Sequence, residues 1–284
     1  KGQVWGQFWA AYVPSAYEGK GAGTMVLEEI DMIHRMIARS PRLGYATTAD
    51  DIVRIHRTGK IASLIGIEGG HAIENSLGML RDVYRLGVRY MTLTHGSTTA
   101  WADASTDAPR HGGLSPFGEE VVREMNRLGM MVDISHVSDG VMSDVARISE
   151  APLFFSHSSV RALADHPRNV PDSILTLVKK KDGVVMVNAL PAFVDSTGAR
   201  LMRDVFEVER KLRQQYAGNQ AKADSAFLAY INSVPPTTLE RYVDHIDYIV
   251  KFIGVDHVGI GADLGAVDQH PKGLDDISMF PNVV

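Results

Sequence analysis

Cysteine is absent from all 284 residues. That absence excludes disulfides, cysteine zinc sites and thiol catalysis together, so any metal must be held by His, Asp or Glu. It leaves the redox compartment open. No apolar run approaches the roughly 18 residues of a membrane-spanning helix, so no transmembrane segment is expected. No Lys/Arg-rich block occurs, and a net charge of −5 with interspersed signs argues against a nucleic-acid partner. Gly66, Gly69 and Gly70 lack the spacing and the lysine of a phosphate-binding loop. The chain begins at Lys1 without Met or a charged-then-apolar leader pattern, so its start is expected not to be the natural one.

What is present is ordinary globular material. With 45% hydrophobic and 22% charged residues, a packed core is expected rather than disorder. The length suits one α/β barrel or two smaller domains. Apolar runs of strand length begin at about residues 4, 61, 88, 130, 152, 183 and 257, which makes seven. Helical stretches separate them. Thr24 is expected to cap a helix reaching Arg39, and Thr48, Asp50 and Asp51 open a second that Gly59 stops. Further helices are expected over 76–86, over 117–128 up to Gly129, from a cap at Asp139, and over 171–181 with Pro171 at its start. A long helical stretch over 200–253 is broken at Val234-Pro235-Pro236, and 217–226 is the most polar stretch and a candidate mobile segment. Strands buried on both faces and alternating with helices indicate a parallel sheet. The fold class read from this is α/β, a (β/α)₈ TIM-type barrel one strand short; a doubly wound sheet is the alternative.

Glu68, His95, His136, His157 and Asp263 each stand where an apolar strand gives way to a loop. A barrel gathers such positions at one mouth, and three imidazoles with two carboxylates form a donor set for zinc-like ions. Any one of them alone reads more readily as a hydrogen-bonded structural residue or a cap; the recurrence across five strands carries the argument. His34, His56, His111, His166, His245, His257 and His270 are given structural roles, and His71 a loop or helix-start role. Arg168, in the loop after the His157 strand, reads as a surface charge or as an anion clamp.

A resemblance then emerges from ordered blocks. They are Ile65-Gly-Ile-Glu-Gly-Gly-His71, Leu93-Thr-His95, Trp101-Ala-Asp103, Gly113-Leu-Ser-Pro-Phe-Gly118, Asn126-Arg-Leu-Gly129, Asp133-Ile-Ser-His-Val-Ser138, Phe155-Ser-His-Ser-Ser159 and Arg168-Asn-Val-Pro171. With Lys272-Gly-Leu-Asp-Asp276 they resemble the renal (membrane) dipeptidase family of zinc peptidases over almost the whole chain. The stretch near 195–240 looks like the bacterial branch. The resemblance implies a single metal-dependent hydrolase barrel over residues 1–284 that cleaves dipeptides with a hydroxide bridging two Zn²⁺ ions. It makes Glu68 the bridging ligand, His136 and His157 further metal ligands, His95 a substrate-contacting and catalytic histidine, Arg168 the clamp on the dipeptide carboxylate, and Asp263 the acid/base. It is compatible with a homodimer and leaves the location open, favouring an extracytoplasmic one with a cytoplasmic one as the alternative.

The sequence departs from the family pattern at two places. The family's first-strand His-x-Asp pair has no counterpart before Gln3, and the last motif reads Asp263-Leu-Gly-Ala266 where the family has Asp-Phe-Asp-Gly. The expectation is therefore a barrel trimmed at both ends, including its first strand, rather than a degraded homologue. Alternatives are another metal-dependent amidohydrolase acting on a lactam or N-acyl amino acid, and a non-catalytic barrel with an incomplete metal site.

Overall fold

The computed structural model describes residues 2–265 and 269–283; Ala266, in the last motif named above, lies outside them. The chain divides into two compact units, one of residues 3–103 and 110–151, the other of residue 2, 104–109, 152–265 and 269–283.

The first unit opens with β1 (Gly6–Tyr12), α1 (Ala22–Arg39), β2 (Leu43–Tyr45), α2 (Ala49–His56) and β3 (Ile61–Glu68). It continues with α3 (Leu77–Arg85), β4 (Val88–Thr92), α4 (Pro116–Leu128), β5 (Met131–Asp133) and α5 (Asp139–Ile148). All its strand pairings are parallel: β1 lies along one edge of β3, and β2 and then β4 along the other, with β5 beyond β4. Every residue of β3 from Ala62 to Ile67 is buried, which is why it reads as an unbroken apolar run rather than an alternating one. The strand shifts register between Ile65 and Gly66, and there Gly66 faces the ring of Tyr90. The Tyr90 ring in turn meets Phe8 edge-on at 5.0 Å. Helix ends follow local chemistry: the Ser115 side chain accepts from Gly118 N–H, Pro116 starts α4, and Gly129 in the left-handed region ends it.

The second unit carries β6 (Phe154–Phe155), α6 (Asp172–Lys180) and β7 (Val184–Val187). A helical segment follows, with α7 (Pro191–Val194), α8 (Ser196–Leu201), α9 (Val205–Gln215), α10 (Gln220–Ile231) and α11 (Leu239–Phe252), before β8 (Val258–Ile260). Here too β6, β7 and β8 pair in parallel. Ala192, Phe193, Met202, Val205, Ile231 and Val234 form a core of their own in the helical segment. The strand-then-helix order with parallel pairing is the α/β, TIM-barrel type of architecture expected. Among the described residues, no helix is long and apolar enough to cross a membrane.

Several expectations need correction. Eight strands are present among the described residues rather than seven, because β2 is only three residues long and centred on Gly44. Gly21, not Thr24, precedes α1; its left-handed φ of 91° turns the chain into the helix. Ser138, not Asp139, caps α5, and Pro171 stands one residue before α6. The helical segment begins at Pro191 instead of near residue 200, and the polar stretch at 217–226 is largely α10, with Asn219 accepting from Lys222 N–H.

The Gly66–Tyr90 contact gives a test of the first unit. A Cβ at residue 66 would stand 2.1 Å from Tyr90 Cζ, so Gly66→Ala must displace a ring that is itself buried. We expect Gly66→Ala to cost about 1–3 kcal/mol in urea unfolding. A Tyr90→Ala, Gly66→Ala double variant should lose less than the sum of the single changes.

Candidate active site

Glu68 is the last residue of β3, so its carboxylate stands where the buried strand opens. Gly69 and Gly70 follow because the chain is crowded there: a Cβ on Gly70 would lie 2.5 Å from Leu93 O and 2.6 Å from the Trp101 ring. The next strand end delivers His95, three residues past β4, and the following one His136, three residues past β5. His136 Nε2 lies 3.1 Å from Glu68 Oε1 and His95 Nε2 lies 3.9 Å from the same oxygen. The two imidazoles face each other at 4.4 Å between centroids, and Tyr12 at the end of β1 packs against His95 at 4.9 Å.

Two features hold this group. Asp133, fully buried at the end of β5, accepts from Thr92 Oγ1 and from Ser135 N–H, while its carbonyl accepts from Leu93 N–H. One carboxylate thus ties the end of β4 to the turn that leads into His136. His136 itself has φ of 68°, a left-handed conformation that costs an L-residue about 1–2 kcal/mol and recurs at functional positions. Farther along, Asp103 accepts from the N–H groups of Arg110, His111 and Gly113, and shapes the long loop between β4 and α4. His71 is buried in the 3₁₀ turn Gly70–Ile73, in agreement with a loop role.

The second unit places the remaining candidates. His157 is two residues past β6 and its Nδ1 lies 2.7 Å from Ser156 Oγ. Arg168 is fully buried, against the reading of a surface charge. Its Nη1 donates to Ser158 Oγ (3.1 Å), its Nη2 to the His157 carbonyl (3.0 Å), and its guanidinium carbon stands 5.1 Å from the Phe193 ring centre. Asp263, three residues past β8 and exposed, also has a left-handed φ, 58°, and its Oδ2 accepts from Asn188 Nδ2 at 3.3 Å. Asn188 is in turn fixed: its Oδ1 accepts from Leu190 N–H and its carbonyl accepts from Ser159 Oγ.

Within the first unit, then, the fold brings together Glu68, His95 and His136. Within the second it joins His157 to Arg168 and gives Asp263 a partner. Asn188 and Asp133 were missed. Asn188 directly follows the apolar strand Val184–Val187, the same signal that marked the other candidates, and Asp133 sits inside a block read only for its histidine. The structural reading of the other histidines holds where contacts define it. His34 bonds the Leu86 carbonyl, His111 that of Thr99 and His257 that of Gly183, while His56 stacks on Trp5.

The chain is similar to known proteins over its whole length. The family described as Membrane dipeptidase (Peptidase family M19) matches residues 1–284. Dipeptidase verJ of Clonostachys rogersoniana is 39% identical over 299 residues, covering 100% of this chain and 66% of the relative. Dipeptidase 3 of Mus musculus is 37% identical over 288 residues, covering 100% of this chain and 50% of the relative. The chain therefore spans about half to two thirds of the length of these curated relatives. Among solved structures, the probable dipeptidase PvdM from Pseudomonas aeruginosa superposes with a TM-score of 0.84 at 27% identity, covering 99% of this chain and 79% of that one. A metallo peptidase from Rhodobacter sphaeroides, liganded with a phosphinate mimic of the dipeptide L-Ala-D-Ala, shares the fold at a TM-score of 0.79, 24% identity, and 99% and 79% coverage.

Two buried histidines give this region a pH signature. Burial pushes His166 and His245 down to about 4, against about 6.5 in an unfolded chain. The unfolded state therefore binds protons first, and stability falls as pH drops from 6.5 towards 4. We expect each histidine to contribute on the order of 1–3 kcal/mol to that loss. In urea unfolding, the stability gap between the parent and His245→Phe should be wider at pH 7 than at pH 5.

Proposed function

The chain belongs to the membrane dipeptidase family, peptidase family M19, and from that membership we propose that it is the core of a zinc-dependent dipeptidase. The observation that carries the reading is Glu68 Oε1 at 3.1 Å from His136 Nε2, at two strand ends of one parallel sheet. From the match of their motifs to the family, we assign Glu68, His136 and His157 as metal ligands. One carboxylate and two imidazoles suit zinc, and the chain has no cysteine to offer a softer site. His157 would ligate through Nε2, with Ser156 Oγ against its Nδ1 fixing the ring, as partners of metal-bound histidines commonly do. When bound, the metal lowers the pKa of water and polarises the scissile carbonyl.

The remaining steps belong to the chain's own groups. Asp263, oriented by Asn188, takes the proton from the attacking water as the new C–O bond forms. It then delivers that proton to the departing amine as the C–N bond breaks, so the carboxylate is regenerated. His95 donates to the oxygen that becomes negative at the tetrahedral stage, a contribution on the order of 3 kcal/mol. Arg168 pairs with the C-terminal carboxylate of the substrate. A planar fork with several N–H donors, held in a buried setting, recognises a carboxylate and penalises a neutral amide or a longer chain. The substrate class is accordingly a dipeptide with a free C-terminus.

Steady-state kinetics of the zinc-loaded full-length protein with a dipeptide and its C-terminal amide test this reading. We expect kcat/KM for the acid to exceed that for the amide by at least about tenfold. Arg168→Ala should lose most of that preference, mainly by slowing the acid. Equal rates for acid and amide in the parent would overturn the assignment of Arg168.

A further inference from the structure

The helical segment that interrupts the strand–helix alternation after β7 reaches back to the loop that carries Arg168. His166 makes the link. Arg168 N–H donates to His166 Nδ1 at 3.1 Å, so that nitrogen is unprotonated and the neutral ring must carry its hydrogen on Nε2. That Nε2–H donates to the Met202 carbonyl at 3.2 Å, at the C-terminal end of α8. Met202 belongs to the core shared by α7, α9 and α10, so the acceptor is anchored by packing rather than by a mobile loop. The His166 ring also lies against Phe193 of α7, at 4.9 Å between centroids, and the Arg168 guanidinium stands over that same ring.

The connections on either side repeat the pattern. Asn169 Nδ2 donates to the carbonyls of Ala164 and Phe193. His245 of α11 accepts from Val160 N–H through Nδ1 and stands 3.1 Å from the Val194 carbonyl through Nε2, again fixing the tautomer. The loop from Val160 to Val170 is therefore bonded to α7, α8 and α11 by buried side chains at three points. Asn169 and His245 fix the loop as a whole, whereas His166 alone acts on the peptide nitrogen of the arginine.

We propose that His166 is a positioning residue for substrate selection: its Nδ1 holds the peptide nitrogen of Arg168 and so sets where the guanidinium meets the substrate carboxylate, while the bond to Met202 secures the tautomer that can accept. This rests on the reading of Arg168 as the carboxylate clamp. A displaced clamp weakens binding of the free acid and leaves an amide, which never used it, almost unaffected.

Two substitutions separate this role from a purely structural one. In His166→Asn the side-chain oxygen can accept from Arg168 N–H, two residues on, while the bond to Met202 is lost. In His166→Gln the longer amide can reach Met202 but leaves Arg168 N–H without its acceptor. Each variant loses one buried hydrogen bond, so their stabilities should fall by similar amounts. With a dipeptide and its amide as substrates of the zinc-loaded full-length protein, we expect His166→Gln to raise KM for the acid about tenfold. Its kcat should stay within about threefold, and its acid-over-amide preference should shrink towards that of Arg168→Ala. His166→Asn should keep KM and the preference within about threefold of the parent. A misfolded fraction would lower both kcat values together and leave KM unchanged, so partial unfolding cannot imitate this result. The proposal is overturned if Asn and Gln behave alike, if their order is reversed, or if acid and amide lose activity by the same factor. Failure of the underlying clamp would show in the parent itself, as no preference for the acid before any variant is made.

Discussion

A carboxylate and an imidazole meet at 3.1 Å because parallel strands end side by side. Glu68 closes β3, His136 follows β5, and β4 between them sets their separation. The buried carboxylate of Asp133 fixes the turn that leads to His136, and glycines after Glu68 let the chain pass under Trp101 and the Leu93 carbonyl. The left-handed backbone at His136 costs about 1–2 kcal/mol that better local geometry would avoid. His136 lies in the short connection between β5 and the Ser138-capped α5. Asp263 repeats the device after β8, with the same sign of φ. Strain at two candidate chemical residues, each just past a strand, fits rigid strands that impose geometry on short loops.

The second unit solves a different problem. A guanidinium removed from water is costly unless its hydrogens find acceptors, and Arg168 has both Ser158 Oγ and the His157 carbonyl. The same arginine thus bonds the backbone of a proposed metal ligand, His157. His166, Asn169 and His245 extend the frame to helices that a minimal barrel would not need. Keeping those two histidines neutral is part of the arrangement, since each must accept a backbone N–H through Nδ1.

The parts of this arrangement that the sequence exposes are those where chemistry interrupts a pattern. Glu68 ends an eight-residue, largely apolar strand, and His95, His136 and His157 follow others, so position alone marks them. The parallel architecture was readable for the same reason, since strands buried on both faces leave continuous apolar runs. β2 was not, because three residues centred on glycine carry too little apolar signal to stand out. Asn188 escaped because an amide after a strand looks like the start of any loop, and only its bond to Asp263 reveals its part. The burial of Arg168 was hidden as well: a charged residue among prolines and asparagine suggests surface, and its partners are a serine and a carbonyl that no spacing announces. The helix at Pro191 did have a local cue, proline at a first helical position, but its role as an anchor depends on packing with residues far along the chain.

The central claim is that Glu68, His136 and His157 hold zinc at the ends of their strands. Anomalous diffraction on either side of the zinc absorption edge, from crystals of the zinc-loaded full-length protein, tests it most directly. The expected result is an edge-dependent peak within about 2.0–2.2 Å of a Glu68 oxygen and of one nitrogen on each of His136 and His157. No peak at Glu68, or a peak ligated by other side chains, would contradict the account.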